Sequence, residues 1–135
     1  MAEAITTIVI GVTNRSTALD ACQRALGLAR ATDARVHLVY AIDGTDPDGA
    51  DVANRHADGL LQTIALSSSW PMTVHAIPGD PADVILAVAE EVGADLIAIG
   101  NRGLTKHGRF TRETPAQIVK RARCSVLVVD TDPSR

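Results

Sequence analysis

Short apolar runs alternate with segments of helical spacing along the chain. Ile8-Val9-Ile10-Gly11-Val12 is rich in β-branched residues and predicts a first strand. Ser16 and Thr17 are N-cap candidates for the helix that follows, with Asp20 three residues after Thr17 as a short version of the capping box. In that helix Ala18, Cys22, Ala25 and Ala29, flanked by Leu19 and Leu26, form a small-residue face that lets a helix sit close to a sheet. Val36 to Ile42 predicts a second strand, Asp43 to Asp51 a polar loop, and Val52 to Leu66 a weaker helix broken by Ser67-Ser68-Ser69-Trp70-Pro71. Met72 to Ile77 predicts the third strand. Pro78-Gly79-Asp80-Pro81 then makes a turn, with Asp80 as N-cap and Pro81 at the first helical position, where its missing N–H costs nothing. The next helix carries Val84, Leu86, Val88 and Val92 and stops at Gly93. Leu96 to Ile99 is the fourth strand, Gly100 to about Arg112 a loop, Pro115 to Arg121 a short helix, and Ser125 to Val129 the fifth strand.

Apolar runs without strict alternation, separated by helices, indicate a parallel sheet covered on both faces. The expected fold is therefore α/β and doubly wound, in one domain over residues 1–135 with its core at about 6–130. No apolar run approaches the roughly 20 residues a membrane helix needs. Met1-Ala2-Glu3-Ala4 is acidic and has neither the basic flank nor the cleavage site of a signal peptide.

Charge changes this picture in one place. The chain carries −3 overall, yet residues 102–123 hold seven cations against the single acid Glu113, so the rest of the chain carries −9. The overall sign argues against a nucleic-acid partner, while the basic segment suits a small anion. Tyr40, Trp70 and Phe110 are the only aromatics, too few for a base-stacking platform. Cys22 and Cys124 form no CxxC pair and read as two buried, reduced thiols. His37 and His75 can face each other from adjacent strands, but no third ligand accompanies them, and no structural metal is expected. No G-x-S-x-G occurs, and nothing marks a catalytic nucleophile or base.

Ligands of doubly wound sheets bind at the carboxyl ends of the strands where the strand order reverses. With the order 3-2-1-4-5 that crevice lies between the first and fourth strands. Its loops are Thr13-Asn14-Arg15-Ser16 and Gly100-Asn101-Arg102-Gly103, the second running on through a basic stretch into a helix N-terminus. Arg102, Lys106, Arg109 and Arg112 stand open between phosphate contacts and a solvated loop. Lys120, Arg121 and Arg123 read as cations of a last helical turn.

From Ile8 to Asp130 the chain resembles the universal stress protein family. The resemblance is carried by the first strand and its helix, by Gly79-Asp80-Pro81-Ala82-Asp83-Val84-Ile85, by Ala94-Asp95-Leu96-Ile97-Ala98-Ile99-Gly100-Asn101-Arg102-Gly103, and by Ala122-Arg123-Cys124 with the last strand. It implies a Rossmann-like five-stranded parallel sheet of order 3-2-1-4-5 and a cytoplasmic homodimer. Nucleotide-binding members of that family carry G-x-x-G-x9-G-[ST], which wraps a triphosphate, and an Asp after the first strand that meets the nucleoside. This chain keeps Gly100 and Gly103. Nine residues beyond Gly103 it has Glu113-Thr114, or Arg112-Glu113 when aligned from the last strand, so neither register restores the third glycine. Thr13 replaces the Asp.

The resemblance thus implies a stress-response binding protein with a degenerate nucleotide or phosphate pocket. Gly100, Asn101, Gly103, Arg109 and Thr114 would cradle phosphates, with Asn14 and Arg102 in the same loops. Thr13 and the backbone near Ala41 would meet a nucleoside. Glu113 would repel a polyanion or pair with Arg109 or Arg112. An adenine nucleotide (ATP, AMP or cyclic AMP) would bind weakly or not at all. Two alternatives stand beside this one: an ATP-binding member with slow hydrolysis, and a ligand-free dimerisation or protein-interaction module. The last strand, around Val126 and Val128, is an apolar edge suited to pairing with a second copy.

Overall fold

The computed structural model describes residues 4–12, 17–42, 59, 62, 70–100 and 113–129, with the backbone alone described at 17–20 and 113. Among the described residues five strands are present: β1 (Thr7–Gly11), β2 (Arg35–Ile42), β3 (Met72–Pro78), β4 (Leu96–Gly100) and β5 (Ser125–Val129). The principal helices among the described residues are α1 (Thr17–Thr32), α2 (Pro81–Val92) and α3 (Glu113–Arg121). Gly59 and Gln62 are helical, within the segment where the weaker helix is expected; the rest of that segment and the 43–51 loop lie outside the described residues.

The sheet is wholly parallel, in the order β3-β2-β1-β4-β5. The central strands have side chains buried on both faces, which is why they read as continuous apolar runs rather than alternating ones. On one face Ile8, Ile10, Leu38, Tyr40 and Ala98 pack with Cys22, Ala25, Leu26 and Ala29 of α1. On the other, Val9, Val39, Ala41, Ile97 and Ile99 pack with Val84, Ile85 and Val88 of α2 and Ile118 of α3. The small residues of α1 do bring that helix close to the sheet.

The helix boundaries follow local chemistry. Asp80 caps α2, its carboxylate accepting from the Asp83 amide at 3.2 Å, and Pro81 stands at the first helical position. Gly93 ends α2 in the left-handed region, with φ 67°, its amide donating to the last-turn carbonyls. Three expectations need correction. α3 begins at Glu113 rather than Pro115, because proline is tolerated anywhere in a first turn whose N–H groups lack intrahelical acceptors. Arg123 lies beyond α3, in a bend, so only Lys120 and Arg121 belong to the last turn. Cys124 is partly exposed rather than buried, because it lines a surface pocket with Leu86, Ala89 and Gly93. Cys22 is buried, and burial pushes its thiol up to about 12.

Candidate functional site

The chain leaves β1 for β2 and β3 on one side of the sheet, and places β4 and β5 on the other. The order therefore reverses between β1 and β4, and the crevice lies over their carboxyl ends. Ile10 pairs with Ala98, so Val12 and Gly100 stand at one level, each two residues further on. Val12 is held there by its amide, which donates to the Val39 carbonyl at 2.9 Å. Gly100 pairs with Val129 of β5.

At Gly11 the end of β1 lies close against Ile85 of α2. A Cβ at this position would meet Ile85 Cδ1 at 2.6 Å and Ile99 Cγ2 at 3.1 Å. The sequence signal was a lone glycine inside a β-branched run, which marks close approach.

The sequence-predicted site residues divide in two. Ala41, Gly100, Glu113 and Thr114 fall on described elements. Ala41 lies at the end of β2, paired with Ile77 and only 5% exposed, so its side chain belongs to the core and its backbone alone is available to a ligand. Gly100 closes β4. Glu113 opens α3, and Thr114 follows it, 5% exposed. β4 and β5 are parallel, so the helix between them runs back against the strands: α3 starts on the carboxyl side of the sheet and ends near Ser125. The structure therefore puts Glu113-Thr114 at a helix N-terminus on the side of the crevice, where partial positive charge favours anions. Thr13, Asn14, Asn101, Arg102, Gly103 and Arg109 lie outside the described residues.

The later cations have other partners. Arg121 pairs with Asp83 at 2.8 Å, and Arg123 approaches Glu90 at 3.8 Å, both pairs well exposed. They brace α3 and its exit against α2. Exposed pairs of this kind contribute about 0–1 kcal/mol. Composition had marked them as cations without showing which acids they meet.

Away from the crevice, His37 Nδ1 and His75 Nε2 lie 3.0 Å apart across β2 and β3. Burial, then the neighbouring His75 and Arg35, hold the His37 imidazole below its usual range. Asp95, which sequence reasoning missed, accepts from the Thr6 amide (2.9 Å), the Thr6 hydroxyl (2.7 Å) and the Thr7 amide (3.0 Å). These bonds hold its carboxyl below the usual carboxylate range, the Thr6 hydroxyl contributing most. Among the described residues no group of three or more His, Cys, Asp or Glu side chains is placed to hold a metal ion. No described helix is long and apolar enough to cross a membrane.

This arrangement recurs in known proteins. The profile of the Universal stress protein family matches residues 4–130. A universal stress protein of Methanocaldococcus jannaschii is 29% identical over 136 residues, covering 90% of this chain and 80% of that one. One from Mycobacterium tuberculosis is 28% identical over 141 residues, covering 93% and 96%. Among solved structures, a universal stress protein in complex with cAMP superposes with a TM-score of 0.76 at 27% identity, covering 96% of this chain and all of that one. UspA from Lactobacillus plantarum superposes with a TM-score of 0.77 at 22% identity, covering 95% and 99%. By its sheet order and by this match over nearly its whole length, the chain belongs to the universal stress protein family.

Proposed function

We propose that this stress-response protein is a cytoplasmic, single-domain homodimer that binds an adenine nucleotide through a pocket weakened toward ATP. The observation that carries the reading is the start of α3. Glu113, a carboxylate, opens the helix on the crevice side, and the buried Thr114 follows it. A helix N-terminus attracts one negative group, and here the chain supplies its own. A second anion about 4 Å away meets a repulsion of up to about 4 kcal/mol at a surface-type dielectric, offset by whichever of Arg102, Lys106, Arg109 and Arg112 approach it. The triphosphate of ATP suffers most, and the single phosphate of AMP or cyclic AMP least.

The described part of the crevice suits such a ligand. Gly100 and the strand ends at Val12 and Ala41 offer backbone rather than bulky side chains. The universal stress protein crystallised with cAMP, 27% identical to this chain, supports a monophosphate as the ligand. Calorimetric titration with ATP, AMP and cyclic AMP tests the reading. The expected result is a monophosphate binding more tightly than ATP; ATP binding at least as tightly as either monophosphate would overturn it.

The dimer reading rests on β5. It is an edge strand, and Leu127 and Val128 are 37% and 42% exposed on it. An apolar edge with free backbone groups pairs readily with a second copy of itself.

A further inference from the structure

The His37–His75 pair lies on β2 and β3, beyond β1, and plays no part in the nucleotide reading. We propose that these two imidazoles form a chelating site for a divalent transition ion that prefers tetragonal nitrogen coordination, the chemistry of Cu2+ or Ni2+.

His37 pairs with Thr73, and His75 pairs with Val39, so the two histidines are diagonal neighbours on one face of the sheet. Nδ1 of one ring and Nε2 of the other are already 3.0 Å apart, with ring centroids 5.2 Å apart and planes inclined at 32°. Two imidazole nitrogens bound to one ion at about 2.0–2.1 Å and 3.0 Å from each other subtend close to a right angle at it. Tetrahedral coordination would set them about 3.3 Å apart at the same bond length. A small ring rotation spans both separations, so the pair can chelate in either geometry, and Cu2+ is favoured by its higher affinity for nitrogen donors.

Both rings are partly exposed, which leaves the other coordination positions to water. His37 also lines an open groove with Asp33, Arg35, Trp70 and Thr73, so an ion can reach it from solvent. Without metal, one hydrogen lies between the facing nitrogens. On binding, that hydrogen moves through solvent to the other nitrogen of its ring, and a small ring rotation turns both lone pairs to the ion. Two neutral imidazoles remain neutral, so no net proton is released. The strands hold both donors at close range, which gives the second a high effective concentration once the first has bound.

The test is a Cu2+ titration of the full chain, followed by calorimetry and by NMR of the imidazole C–H signals, with Zn2+ for comparison. His56 and His107 are internal controls. The expected result is one Cu2+ per chain, bound more tightly than Zn2+, with His37 and His75 broadened before the other two. His37→Gln and His75→Gln should each weaken binding at least about tenfold, while their metal-free thermal melts confirm folding. If one variant fails to fold, the other decides. Equal broadening of all four histidines, or affinity in the folded variant within about twofold of the parent, would overturn the proposal.

Discussion

The carboxylate of Asp95 accepts three hydrogen bonds from Thr6 and Thr7, and its own amide donates to the Thr7 carbonyl at 2.9 Å, tying the amino ends of β1 and β4 together. Asp95→Ala should cost about 1–2 kcal/mol, because the site is solvent-exposed and water partly replaces the lost partners. The pH dependence has a definite sign. The folded-state carboxyl titrates below its unfolded value, so its contribution is present above about pH 4 and lost as pH falls through the folded value. Chemical unfolding from pH 7 to pH 2 should show the gap between the parent and Asp95→Asn holding near neutrality and shrinking below about pH 4. Gly11 gives a second residue-scale prediction. Gly11→Ala forces its Cβ against Ile85, which is 1% exposed and has little room to move. A loss of about 1–2 kcal/mol is expected in a denaturant midpoint experiment. An unchanged midpoint would show that α2 is free to shift away.

At the scale of elements, legibility tracked how local each cause is. Asp80-Pro81 and Gly93 act within a few residues of themselves, so both ends of α2 were readable. The small-residue face of α1 was readable from its periodicity, and the strands from their β-branched runs. The start of α3 was not, because Pro115 looks like a first helical residue and is equally at home two positions later. The Asp95 clamp spans nearly ninety positions, and no local pattern announces it. The same limit hid the acids that Arg121 and Arg123 meet. β5 carries the prediction proper to this scale. Val128→Lys puts a charge on the exposed edge and should convert a dimer to a monomer in sedimentation equilibrium, with little change in secondary structure. A parent chain that sediments as a monomer would remove β5 as the pairing edge.

The whole molecule is a doubly wound sheet whose topology reverses between β1 and β4. The strand order itself was legible, and Gly100 closes β4 while Glu113 and Thr114 open α3. The phosphate-side loops were legible only as sequence, since Asn101, Arg102, Gly103 and Arg109 lie outside the described residues. The proposed function rests on one residue, Glu113 at the start of α3, where the family resemblance implies a glycine. Calorimetric titration of ATP into the parent and into Glu113→Gly tests it most directly. Glycine is accepted at a helix start, so the fold should be kept. The account predicts ATP affinity at least about tenfold higher in Glu113→Gly than in the parent, a gain of roughly 1.4 kcal/mol or more. Equal ATP affinity in the two proteins, or tighter binding by the parent, would contradict it.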